Sequence, residues 1–249
     1  MYTNFLIGLL TPLLMKTTYH PAESRGHANH GWLKTYHSFS FASWYNPQRM
    51  HFGLLRVLND DIIAGGTGFG THPHNDMEII SIPIKGALAH KDSHGHEGIV
   101  RDKDVQVMSA GYGVEHSEYN GSKTEEAHFL QIWIFPNRKE VEPRHAMQSY
   151  DPAARSEQWQ LQVGPMGSGV LEIHQDAYIS RASIKAGQTL PYQWHKPGNG
   201  VYLFLIEGSL KVGDHTLKRR DALGIEDVVV ADVEALADAD VLVLEVPMR

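Results

Sequence analysis

Residues 79–90, IISIPIKGALAH, and residues 201–212, VYLFLIEGSLKV, decide the fold, because they look like distant copies of one unit. Each is an apolar strand that runs into a glycine-marked turn and out again. Further along, RDKDVQVMSAGYGVEHSEY (101–119) is echoed by LKRRDALGIEDVVVADV (217–233), a polar turn followed by a strand. A duplicated β-barrel fits a repeat of this kind in 249 residues better than one continuous sheet. The rest of the chain agrees. FGLLRVLN (52–59), MEIISIPI (77–84), DVQVMSA (104–110) and HFLQIWIF (128–135) are short β-rich runs broken by Gly, Pro, Asn and Asp, with few helical periodicities. The expected class is therefore all-β, with two tandem barrels. Between 136 and 160 the apolar pattern lapses into a polar, proline-marked segment, and strand-like runs resume at GVLEIHQDAYISRASI (169–184). This places the boundary near 147, giving a first barrel over 16–147, a second over 148–249 and an N-terminal extension over 1–15.

Composition narrows the partners. A formal charge of −7 gives no electrostatic reason for a nucleic-acid groove or an anionic membrane surface, so small molecules are the expected ligands. The absence of cysteine excludes a disulfide framework and any thiolate metal site, leaving imidazole and carboxylate as ligands. The apolar opening MYTNFLIGLLTPLLM is too short for a bilayer and is broken by Thr11-Pro12. It also lacks the basic start and small-residue cleavage site of a secretory signal, so a cytoplasmic protein is expected, with a signal peptide as the alternative. A start codon set too early is a third reading, since Met15 precedes a more ordinary beginning.

THPHNDMEI (71–79) carries the first chemical signal. Residues i and i+2 of a strand share a face, so His72 and His74 can aim at one point while Pro73 faces away. Pro73 has no N–H to donate, which puts the stretch at a sheet edge or barrel mouth. Alone the pair is weak, because the chain holds 16 histidines. About forty residues later, GYGVEHSEYN repeats the spacing with His116 and Glu118. Together the two pairs would make a three-histidine, one-carboxylate site with room at an octahedral metal for substrate or dioxygen, closer to non-heme iron chemistry than to structural zinc. The competing reading of His116 and Glu118 is an ordinary surface pair. Glu78 shares the side of His74 by even spacing and is expected to orient an imidazole N–H, with a fourth-ligand role as the alternative. HKDSHGHE (90–97) reads as a solvated loop bordering the pocket. Phe69, Met77, Phe129 and Trp133 are candidates for an aromatic pocket wall, or plain core.

RGHANHGWLKTYHSFSFASWYNP (25–47), GTHPHNDMEI (70–79), HKDS (90–93), MSAGYGVEHSEYN (108–120) and QIWIFPN (131–137) occur in the order of the pirin family of the cupin superfamily, which the chain resembles from about residue 23 to its end. The resemblance implies a monomeric two-cupin protein with one divalent transition metal per chain in the N-terminal barrel, held by His72, His74, His116 and Glu118. Iron is the metal expected, with nickel, cobalt, manganese, copper and zinc as alternatives. It also implies a quercetin 2,3-dioxygenase that opens flavonols with dioxygen and releases carbon monoxide, Glu118 doubling as ligand and general base. Related phenolic or enolic substrates stay open. So does a metal-dependent interaction or regulatory protein without flavonol turnover, like the family's eukaryotic transcriptional cofactors. The second half departs from the site pattern: PYQWHKPGNG (191–200) offers His195 alone and GIEDVVVAD (224–232) no histidine. A degenerate second cupin is expected, with His174 and His195 as ordinary polar residues.

Overall fold

The computed structural model describes residues 15–249, so the expected extension over 1–15 lies, but for Met15, outside the described residues. Among them the regular secondary structure is all strand apart from two 3₁₀ turns at Ala22–Ser24 and Pro152–Arg155. No helix among the described residues is long and apolar enough to cross a membrane.

The first barrel is made of two sheets. A four-stranded sheet runs in the order Gly68–His74, Val114–Asn120, Ala87–Asp92 and Glu97–Arg101. Facing it, a seven-stranded sheet runs Arg144–Ser149, Asp104–Ser109, Glu78–Lys85, Ala127–Ile134, Leu55–Ile63, Leu33–His37 and Gly26–Asn29. The second barrel is one curled nine-stranded sheet built around two long strands, Asn199–Val212 and Val230–Pro247. These bend where their register shifts between Leu205 and Leu210, as bulges allow. Gly208 is required there: its φ is +98°, and a Cβ would sit 2.2 Å from the Asp238 carbonyl. Residues 16–20, assigned to the first barrel by the division at 147, instead pair as Lys16–His20 with Ala222–Glu226 of the second.

Side-chain parity explains why one barrel is hollow and the other solid. The even positions Ile80, Ile82, Leu130 and Ile132 of the first barrel pack against Tyr202, Phe204, Leu242 and Leu244 of the second, in one core that joins the halves. Odd positions turn inward. In the second barrel these are Val201, Leu203, Leu205, Val241 and Val243, and they fill the lumen with aliphatic carbon. In the first they include Asn59, Asp61, Ser81 and Gln131. The two copies quoted above differ at this point: Ser81 stands where the second copy has Leu203. A polar lumen must find hydrogen-bond partners or a ligand, whereas an aliphatic one closes on itself. A charged knot adds to the joint, with Asp60 meeting Arg25 at 3.1 Å, Arg220 of the second barrel at 3.3 Å, and His128.

Candidate metal centre and substrate cavity

Gly68–His74 is an edge strand, which tolerates Pro73, exposed between the two histidines. Its neighbour Val114–Asn120 sets His116 opposite His72, and a register shift follows between His116 and Glu118. The three imidazoles meet. His116 Nε2 lies 3.1 Å from His72 Nε2 and 3.0 Å from His74 Nε2. The His72 Nδ1–H donates to the Gly70 carbonyl at 2.8 Å, which leaves its Nε2 lone pair aimed at the other two rings. Burial holds His74 down to about 4 and His116 further below the ordinary histidine range, with the neighbouring imidazoles adding to both. Near neutral pH His74 and His116 are uncharged, and the three ring nitrogens crowd one point with no hydrogen-bond donor between them. A cation relieves that crowding, and nitrogens 3.0–3.1 Å apart suit adjacent positions around an ion at about 2.1 Å from each. The donor set therefore fits a divalent metal.

Glu118 stands just behind. Its ligand atom groups with those of His90 and His116 within 4.8 Å, while the other group of this kind is His72, His74 and His116. The Gln131 amide donates to one Glu118 oxygen at 2.7 Å, and the Ser81 hydroxyl lies 3.0 Å from the other and 2.9 Å from Gln131 Oε1. One hydroxyl proton serves two acceptors there, so the ring of bonds closes fully when Glu118 itself carries a proton. Burial pushes its carboxyl above the ordinary range in the same sense.

A cavity of about 570 Å³ opens beside the cluster and is lined by His72, His74, Glu118 and Gln131 on one side and by Trp32, Phe41, Trp44, Phe69 and Trp133 on others. This is an ordinary size for a small-molecule site. The Trp133 ring stands edge-on to His74, 5.0 Å away between centroids. Phe41 and Trp44 belong to a tight turn whose backbones bond each other.

Several expected residues lie elsewhere. Phe129 does not line the cavity; it is buried in a cluster with Leu33, Ile63, Leu88 and Val100. Met77 packs with Ile79, Met108 and Val114, away from the cavity wall. Glu78 orients no imidazole. The chain turns at Asn75–Asp76, where Asp76 has φ +45°, and passes from one sheet to the other, which breaks the even spacing. Its carboxylate accepts from Ser109 Oγ at 2.7 Å and from the His174 backbone, and burial pushes it up to about 7. HKDSHGHE is not all loop: strand Ala87–Asp92 carries the buried His90 and Asp92 inward, and only Ser93–Gly95 turn in solvent. His90 lies 5.4 Å from His116 and stacks on His145 at 4.5 Å. In the second barrel His195 is exposed against Tyr178, and both metal-capable groups among the described residues lie in the first. Asn59, Asp61, Ser81 and Gln131 were not singled out from the sequence. Their signal is a polar residue at the inward parity of an otherwise apolar strand.

Fold and site together define a bicupin whose first barrel holds a histidine cluster able to bind a metal beside an aromatic cavity. Residues 18–134 match the pirin family model and 161–246 match that of the quercetinase C-terminal cupin domain. The chain is 39% identical to the quercetin 2,3-dioxygenase of Escherichia coli K12, over 91% of this chain and 96% of that protein. It is 40% identical to a pirin-like protein of Caulobacter vibrioides, over 90% and 97%. The crystal structure of the bacterial pirin YhhW of Escherichia coli in complex with nickel(II) superposes with a TM-score of 0.87 at 37% identity, covering 93% of this chain and 99% of that one. The chain belongs to the pirin family.

Proposed function

We propose that this protein is a metal-dependent oxygenase that opens the ring of flavonols such as quercetin, consuming dioxygen and releasing carbon monoxide. The observation that carries the reading is the convergence of three imidazole nitrogens at the wall of an aromatic cavity, with a buried carboxyl behind them. The name of the Escherichia coli relative supports the substrate class. His72, His74 and His116 would hold the metal, with Glu118 as the fourth group of the set. When bound, a divalent transition ion supplies Lewis-acid stabilisation of the anionic oxygen of a flavonolate.

The chain's own residues account for the rest. Glu118 takes the proton of the substrate hydroxyl, and Ser81 and Gln131 fix the carboxyl that receives it. Burial raises the Glu118 carboxyl and positive charge at the cluster beside it would favour the carboxylate, so base and cluster are armed together. Trp133 and Phe69 flank the histidines and exclude water from a planar substrate. The test is gas release: quercetin consumed under air should yield carbon monoxide stoichiometrically, with neither change under argon. Consumption without carbon monoxide, or none by metal-loaded protein, would refute the assignment.

A further inference from the structure

Two polar atoms at this cavity have no partner inside the protein. Asp61 is only 4% exposed and lines the cavity from the seven-stranded sheet, opposite the edge strand that carries His72 and His74. Its Oδ1 accepts no hydrogen bond. Trp133 lines the same cavity beside His74, and its Nε1–H is buried without an acceptor. Neighbouring polar groups are already occupied, His37 Nδ1 being paired with Asn59 Oδ1 at 2.9 Å. An orphan acceptor and an orphan donor at one small-molecule cavity are unusual, since buried polar groups are nearly always paired and an unpaired one is destabilising.

We infer that Asp61 and Trp133 are specificity-determining residues that read the substrate at two further points: Asp61 accepts from a second hydroxyl group, and the Trp133 indole donates to a carbonyl oxygen. This rests on the proposed function and narrows it. The ligand must present three things to the cavity: an acidic hydroxyl to the histidine cluster, a carbonyl to Trp133 and a further hydroxyl to Asp61. Polyhydroxylated flavonols and related hydroxyketones qualify, whereas a simple catechol lacks the carbonyl and a flavonol bearing the 3-hydroxyl alone lacks the group for Asp61. A site built to pair with a hydroxyl discriminates strongly against an analogue without it, because the protein group then stays buried and unpaired.

The test measures binding of two probes, quercetin and 3-hydroxyflavone, to the metal-loaded full chain under argon, by quenching of tryptophan fluorescence and by calorimetry. Both probes carry the 3-hydroxyl and the 4-carbonyl, and only quercetin carries more hydroxyls. Wild-type protein should bind quercetin on the order of a hundredfold more tightly. Asp61→Asn should shrink that ratio at least tenfold, and Trp133→Phe, which keeps an aromatic ring while deleting the N–H and part of the indole, should weaken both probes alike and preserve the ratio. A wild type that does not discriminate, an unchanged ratio in Asp61→Asn, or no binding of either probe would overturn the inference. Should Asp61→Asn not fold, Thr35→Val, which strips the hydroxyl beside Asp61 and leaves the carboxylate to reorient, is read by the same ratio and should also lower it. Because binding is measured without oxygen, failure of turnover would sink the dioxygenase reading while leaving this result standing, and the reverse also holds.

Discussion

Glu78→Gln should exchange a pH-dependent penalty for a fixed one, and the sign of its effect should reverse with pH. Glu78 is fully buried at the joint of the two barrels, accepting from Ser109 and from the His174 backbone, and burial raises it from 4.5 to about 7. Below pH 4.5 the carboxyl is protonated in folded and unfolded chains alike. As pH rises the unfolded chain ionises first, while the folded chain keeps its proton to about pH 7, so folding stability falls across that window. At about 1.36 kcal/mol for each pH unit, the full loss is about 3 kcal/mol above pH 7. Glutamine never ionises. It keeps one acceptor oxygen but turns an NH₂ toward a donor, at a cost of about 1–2 kcal/mol at every pH. The variant should therefore be less stable than wild type near about pH 5 and more stable near about pH 8.5, a swing of about 2–3 kcal/mol. Urea unfolding of both proteins at the two pH values reads it directly. A wild-type-minus-variant difference that stays constant between them would refute the reasoning, because Asp61 and every other titrating group cancel in that difference.

Two further outcomes follow from the packing. Asp60→Asn leaves Arg25 and Arg220 facing each other around Phe204 without their carboxylate, so it should cost about 3–5 kcal/mol in denaturant unfolding. A smaller cost for Asp60→Asn than for a surface pair such as Lys185–Asp238 would contradict the buried knot. Phe129→Ala should cost about 3–5 kcal/mol through the void it opens, yet leave affinity for quercetin close to wild type, because the ring is not among the residues that line the cavity. Loss of ligand affinity with unchanged stability would put Phe129 back in the pocket wall.

The alternating faces of strands made much of this legible. His72, His74 and His116 were placed by a period of two, and the same period separates Ile80 and Ile82 from Ser81. The repeat alone did not show which barrel would be solid; the structure traces that to Leu203 standing in the second copy where the first has Ser81. What the period could not show was where a strand stops. Glu78 has the parity of His74, but the left-handed Asp76 carries the chain into the facing sheet between them. For HKDSHGHE the error ran the other way: glycine and serine suggested a turn from residue 90 on, while pairing with Val114–Asn120 keeps the strand going to Asp92 and buries His90 behind His116. Phe129 has the inward parity of Gln131, but height within the barrel depends on shear between strands and has no local signature in sequence.

The most direct test of the account is metal content set beside oxygen uptake, for wild-type protein and His74→Ala purified together and supplied with quercetin. The account predicts a stoichiometric divalent transition metal in wild type, a large fall in metal content in the variant because it removes one of the three converging imidazoles, and uptake that falls in step with the metal. Metal retained by His74→Ala, or uptake that does not follow metal content, would contradict it.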